Sequence, residues 1–324
     1  MKAVVCTQFG PPENLVIQEM DDPVAGESQL VIDVRAAAVT FPDTLMLENK
    51  YQFKTTPPYI PGGEVAGIVS AIGSGVSGFS MGGRVCGSGG LVGGFAQKVA
   101  IAADSARKLP DETGFAESTG LMYAYGTGYY GLKHRGNLKQ GETLLVLGAG
   151  GSVGMAAVEL GKLMGARVIA AASREDKLAL CRERGADETI NYKEENLKER
   201  AKELTDGKGV DVIYDAVGGD YAESALRAIA WNGRFLVIGF TAGIPAIPLN
   251  LYLLKSCQVI GVFLGAMLNR DPVMRDEIET DLLGFMASGE LRPHISQRYA
   301  LEEAPGALRD MMDRKLVGKV IIEP

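Results

Sequence analysis

From residue 143 onward, short apolar runs alternate with stretches of helical period. Thr143-Leu144-Leu145-Val146-Leu147 is continuously apolar after its first residue, the pattern of a parallel strand covered on both faces. A glycine-rich turn follows, then a helical segment from Val153 to Met164. Arg167–Ala171, Asp187–Asn191, Val210–Asp215, Gly233–Gly239 and Cys257–Val262 repeat the strand theme, with helical stretches at Glu175–Arg184 and Glu194–Leu204. Strands alternating with helices predict right-handed βαβ units and an α/β, doubly wound parallel sheet. The N-terminal part differs. Leu30–Ala36 and Gly63–Ser70 are short β-branched runs bounded by Pro57-Pro58, Gly73-Ser74-Gly75, Gly82-Gly83 and Gly93-Gly94, which predicts a compact, barrel-like β domain. The C-terminal part is expected to be helical, to end in a strand at Lys319–Ile322 and to return to the first domain.

Composition narrows the function. A chain of 324 residues has room for two domains. The net charge of −7 argues against nucleic acid as a partner, because phosphate neutralisation needs a basic face. No apolar run is long enough to span a membrane. The N-terminus, Met1-Lys2-Ala3-Val4-Val5-Cys6, lacks the apolar core of a signal peptide, so a cytoplasmic location is expected. Cys6, Cys86, Cys181 and Cys257 stand far apart, and His134 and His294 are the only two histidines. Neither a disulfide scaffold nor a His-rich metal site fits those counts.

The turn after the first parallel strand reads Gly148-Ala149-Gly150-Gly151-Ser152-Val153-Gly154. A strict G-x-G-x-x-G register places Ala149, Gly151 and Gly154 at its three positions; Gly148, Gly151 and Gly154 give a looser spacing. Either register lets the backbone turn sharply and approach a pyrophosphate, which the amides at the helix N-terminus bind. An acid holding a ribose 2′-hydroxyl would stand at the end of the next strand. That position is Ala172, followed by Ser173, Arg174 and Lys177. A hydroxyl and two cations suit a 2′-phosphate, so NADPH is the expected cofactor. Tyr192, after the third strand, adds a phenolic donor. Glu175 and Asp176 are expected to face solvent.

With these segments the sequence resembles the zinc-independent quinone oxidoreductase branch of the medium-chain dehydrogenase/reductase superfamily. The resemblance spans essentially the whole chain. It rests on Phe41-Pro42-Asp43-Thr44-Leu45, Pro61-Gly62-Gly63-Glu64-Val65-Ala66-Gly67, the Gly148–Gly154 turn, Gly185-Ala186-Asp187 through Ile190-Asn191-Tyr192, Val217-Gly218-Gly219 and Gly318-Lys319-Val320. It implies a GroES-like β-barrel catalytic domain from residues 1–123 and 263–324, a Rossmann domain from 124–262, and a cleft where nicotinamide meets substrate. It also implies a homodimer joined through the last Rossmann strand, near Val259–Phe263. By the same resemblance Thr127 lies near the nicotinamide. Gly239, Phe240, Phe263, Leu264 and Gly265 fall in loops that hold carboxamide and ribose. Val217 and Gly218 stand beside the middle of the cofactor, and Lys319 stands close to its phosphates.

Zinc alcohol dehydrogenases of that superfamily carry a cysteine and a Gly-His-Glu segment where this chain has Thr40-Phe41-Pro42-Asp43 and Gly62-Gly63-Glu64. A zinc site needs three or four converging donors, so no metal is expected. The expected reaction is hydride delivery from NADPH to an already electrophilic carbon, in a quinone or an enone. Relatives usually have Asn where Thr40 stands. Thr40 and Tyr51 are the candidate catalytic groups, Tyr51 as a hydrogen-bond donor to the carbonyl or simply as an aromatic wall. Phe41, Met46 and Tyr51 are candidate substrate contacts, and Tyr123, Tyr130, Phe240 and Phe263 further candidates for an apolar slot. Asp43 is expected to orient loops, and both histidines to lie at the surface. The alternatives are a 2-enoyl thioester reductase and a non-catalytic NADPH-binding sensor or structural protein.

Overall fold

The computed structural model describes all 324 residues. Its contacts divide the chain into two units, Met1–Gly120 with Arg292–Pro324, and Leu121–Leu291. The strands in chain order are β1 (Lys2–Val5), β2 (Val16–Glu19), β3 (Gln29–Val39), β4 (Glu64–Ile72), β5 (Arg84–Ser88), β6 (Lys98–Ala102) and β7 (Ala106–Lys108). The second unit contributes β8 (Thr143–Leu147), β9 (Arg167–Ala172), β10 (Glu188–Asn191), β11 (Val210–Asp215), β12 (Ile229–Val237) and β13 (Gln258–Gly261). The chain then returns with β14 (Ile295–Ala300) and β15 (Lys319–Glu323).

The first unit is the GroES-like domain. Its main sheet runs β14-β15-β3-β4-β5-β7, with β6 paired to β3. The eleven-residue β3 is the centre. Its Leu30 and Ile32 are fully buried with Phe95, Ile101 and Ile322. Of the expected corner glycines, Gly82 and Gly93 have positive φ (76° and 104°). Gly94 is buried instead, because a Cβ there would lie 2.9 Å from Val65 and 3.0 Å from the Gly62 carbonyl.

The second unit is the Rossmann domain. Its six strands are parallel in the order β10-β9-β8-β11-β12-β13. Leu144, Leu145, Val146 and Leu147 of β8 are fully buried, as their unbroken apolar run requires. The helix Ser152–Leu163 lies close on this strand because Gly161 has no side chain. A Cβ there would stand 2.6 Å from Leu144.

Three expectations are corrected. The boundary after residue 262 moves to Leu291, and helices Leu264–Arg270 and Pro272–Ser288 stay with the second unit. The longer helix is tied there by the Tyr129 hydroxyl donating to Asp281 (2.6 Å) and by Lys133 pairing with Glu277 and Asp281 (both 3.0 Å). The C-terminal part is not wholly helical, since β14 precedes the one α-helix of this return segment, Ala304–Met312. Strand β12 begins at Ile229, before the expected Gly233, and passes through an irregular register opposite β11. No helix is long and apolar enough to cross a membrane.

Candidate functional site

Parallel strands end together, and ligands of open α/β sheets sit beyond their carboxyl ends where strand order reverses. Here β9 and β11 leave opposite sides of β8, so the reversal lies between the ends of β8 and β11. Gly148 and Val217 meet at that point. A Cβ on Gly148 would stand 2.9 Å from a Val217 methyl.

The turn itself decides between the two glycine registers. Gly148 has φ +72°, a conformation open to glycine. A Cβ on Gly154 would lie 2.2 Å from the Gly148 carbonyl oxygen and 2.8 Å from the Ala149 Cα. The required glycines are therefore 148 and 154, while Ala149 is simply buried. Gly151 is the N-cap of Ser152–Leu163, and no side chain caps that helix. The amides of Ser152, Val153 and Gly154 thus begin a twelve-residue helix with no carbonyl four residues back, a ready anion site. Gly150 is needed for another reason. The stem of Lys177 runs over it, 2.5 to 2.8 Å from where a Cβ would be. That brings Lys177 to the turn itself.

Ala172, the last residue of β9, is buried, and Ser173 leads into Arg174, the N-cap of helix Glu175–Glu183. Glu175 and Asp176 are exposed at the start of that helix, as expected, and each also holds an arginine. Glu175 accepts from Arg182 at 2.7 Å, and Asp176 takes the Arg174 fork, with Nε to Oδ1 at 2.9 Å and Nη2 to Oδ2. Tyr192 follows β10, donates its amide to the Ala172 carbonyl (3.1 Å) and packs on Tyr221 with ring centroids 4.4 Å apart.

The remaining candidates of this unit lie at strand ends or beside the glycine-turn helix. Gly239 and Phe240 follow β12, Phe263 and Leu264 follow β13, and Phe240 and Phe263 are nearly half exposed. Gly128, next to Thr127, would bring a Cβ within 2.9 Å of Leu160, so the chain at Gly128 lies hard against the helix Ser152–Leu163, and Thr127 itself is partly exposed. Tyr123 and Tyr130 are partly buried. Val259, expected in a dimer seam, is nearly half exposed on β13, whose one partner strand is β12. His134 is not a surface residue, being largely buried beside the rings of Tyr129 and Tyr130. Sequence reasoning missed Asp215. Its buried carboxylate accepts the amides of Val217 (2.8 Å) and Gly218 (2.9 Å) and fixes the turn after β11. Its only signal is an acid closing an apolar strand.

In the first unit, Thr40 caps the helix Phe41–Leu47. Its amide and hydroxyl donate to Asp43 Oδ2 (2.7 and 2.6 Å), and the Gly62 amide donates to Asp43 Oδ1 (3.2 Å). The Thr40 hydroxyl proton is thus committed to Asp43, which argues against Thr40 as a direct proton donor. Phe41 is partly exposed, whereas Met46 is buried in the core, which removes it from the substrate contacts. Tyr51 packs on that core and on Phe53, with centroids 6.0 Å apart. Lys319 is buried, and its ammonium donates to the carbonyls of Ala116 (2.8 Å), Glu117 (2.9 Å) and Thr119. An ammonium has three protons, so none remains for a phosphate.

Burial pushes the Asp43 carboxyl up to about 6, and the donated hydrogen bonds from Thr40 and Gly62 only partly oppose that. The sign follows from proton linkage. The folded chain holds this proton more tightly than the unfolded one, so acidification through pH 6 favours folding and rising pH removes that advantage. Relative to Asp43→Asn, the wild type should gain about 1 kcal/mol of unfolding free energy between pH 7 and 5. Denaturant titrations at both pH values check this; a difference that stays flat contradicts it.

Residues 26–111 match the family described as alcohol dehydrogenase GroES-like domain, and residues 152–288 the family described as zinc-binding dehydrogenase. The chain is 40% identical over 99% of its length to a quinone oxidoreductase-like protein 2 homolog of Nematostella vectensis, covering 88% of that protein. It is 32% identical to a quinone oxidoreductase of Pseudomonas aeruginosa, covering 100% of this chain and 99% of the other. The crystal structure of Escherichia coli quinone oxidoreductase complexed with NADPH superposes with a TM-score of 0.90 at 29% identity, over the full length of both chains. The donor set does not fit the zinc in one family's description. No three His, Cys, Asp or Glu side chains converge on a position that could hold a metal ion. Fold, turn chemistry and these likenesses together place the chain in the medium-chain dehydrogenase/reductase superfamily, among its quinone oxidoreductases.

Proposed function

We propose that this chain is an NADPH-dependent reductase that passes hydride to a quinone or an activated alkene. One observation carries the reading. At the strand reversal, a turn that only glycine can make at 148 and 154 leads into an uncapped helix, and the following strand ends in Ser173 and Arg174 rather than an acid. These residues fit a 2′-phosphorylated dinucleotide. The Ser152, Val153 and Gly154 amides would take the pyrophosphate. Arg174, Ser173 and Lys177 would take the ribose phosphate. Bound there, NADPH supplies the hydride. The NADPH in the E. coli relative's structure supports the choice of nucleotide.

The chain's own work is then to hold and orient. Asp215 fixes the Val217–Gly218 turn against the glycine turn, and positioning of this kind supplies a large share of catalysis when a cofactor does the chemistry. A quinone is electrophilic before it binds, and water can protonate its reduced oxygens, so the reaction asks for no strong protein acid. Initial rates of NADPH oxidation with a quinone, an enone and an enoyl thioester test the reading. Turnover with the quinone or the enone is expected. Turnover with the thioester alone would make the chain a thioester reductase, and tight NADPH binding with no turnover would make it a sensor.

A further inference from the structure

The ribose-phosphate end of the proposed site contains an occupant of its own. Arg174 stands at the end of β9 with its guanidinium in a two-point bond to Asp176, Nε to Oδ1 at 2.9 Å and Nη2 to Oδ2. A carboxylate in this two-point geometry uses the donors that a phosphate would use. The pair is about half exposed, so solvent and a ligand can both reach it. The neighbouring acid is not an equivalent competitor, since Glu175 accepts from Arg182 instead. Nor does Lys177 share the Arg174 arrangement, for its stem lies along Gly150 at the glycine turn.

We infer that Asp176 is a specificity-determining residue that weakens the preference for NADPH over NADH by holding the fork of Arg174 in place of the 2′-phosphate. The inference rests on the NADPH reading. A phosphate arriving at Arg174 must displace a carboxylate from its best donors and then remain beside that negative charge. NADH, which presents a hydroxyl at the same place, has neither penalty. Arg174 also holds the Asp176 carboxyl below its ordinary range, so the competing charge is present at neutral pH. Ala172 leaves the usual acid position empty of charge, yet an acid two residues past Arg174 restores part of an NAD-like balance.

The test is calorimetric titration of NADPH and of NADH into the purified chain without acceptor, for wild type, Asp176→Asn, Arg174→Ala and the double variant. Asp176→Asn removes the charge and keeps the size. The NADPH Kd should fall about fivefold, as expected when a charge-assisted competitor is removed at a half-exposed site, with NADH changed less than about twofold. Arg174→Ala should weaken NADPH selectively, and in that background Asp176→Asn should improve NADPH binding clearly less than it does in the wild type, since only the charge repulsion is left to remove. If Arg174→Ala weakens NADPH but Asp176→Asn leaves it unchanged or weaker, Asp176 is inert or orients the fork productively, and this inference fails alone. If Arg174→Ala affects both nucleotides equally, or neither nucleotide binds, the phosphate reading fails and this inference falls with it.

Discussion

Gly154→Ala should lower the stability of the Rossmann unit by about 3 kcal/mol and raise the NADPH Kd at least about tenfold. The new Cβ would lie 2.2 Å from the Gly148 carbonyl oxygen and 2.8 Å from the Ala149 Cα. Both are backbone atoms, so no flexible side chain can yield. The helix Ser152–Leu163 must then move off the turn, and its leading amides lose their aim at the pyrophosphate. Gly151→Ala is the control, because its Cβ would meet nothing closer than 3.5 Å and its φ is negative. Guanidinium unfolding and nucleotide titration of the two variants check this. Equal behaviour of both would show that the turn tolerates a side chain at 154 and that the close approach is not what the glycine serves.

Lys319→Met should be the most damaging single change in the GroES-like unit. The residue is 6% exposed, and its ammonium donates to three backbone carbonyls between Ala116 and Thr119. Methionine fills the volume but takes this donor from the Glu117 and Thr119 carbonyls, while Ala116 keeps the Thr119 hydroxyl (2.9 Å), at roughly 1–3 kcal/mol for each buried group without a partner. Allowing for relaxation and water entry, the expected loss is about 4 kcal/mol. The same variant separates two roles for this residue. If the lysine only ties the 116–119 loop to β15, folded Lys319→Met binds NADPH with the wild-type Kd. A small stability change with a much weaker Kd would instead put the ammonium on a cofactor phosphate.

The parallel sheet was legible because its strands are unbroken apolar runs. Leu144 to Leu147 have no polar residue to place against water, and such a strand must be covered on both faces. The glycine turn was legible for a similar reason, since its spacing has few structural uses between a strand and a helix. What stayed hidden was choice of partner. The helix Pro272–Ser288 has no clearly one-sided apolar face in sequence, and nothing in its residues says whether it meets the Rossmann unit or the β domain. The tie from Asp281 to Tyr129 and Lys133 decides it across long sequence separations. Met46 looked like a slot residue because an apolar side chain in a core and one on a wall read alike. Asp176 looked like a solvated helix-start acid, which is the common fate of that position. Its bond to Arg174 depends on a side-chain direction that spacing does not encode. Lys319 was placed by resemblance near a phosphate, and three carbonyls brought close by the fold claim its protons instead.

The central claim is that reduced nicotinamide held at the glycine turn gives hydride to an acceptor that is electron-poor on arrival. Its most direct test follows the atom itself, with NADPH carrying deuterium on one or the other face of C4 in the acceptor panel. The account predicts that only one label slows quinone reduction by a primary isotope effect, and that the same label appears on the β-carbon of a reduced enone. NADPH left unoxidised by every acceptor, or turnover in which neither label slows the reaction or reaches product carbon, would contradict it.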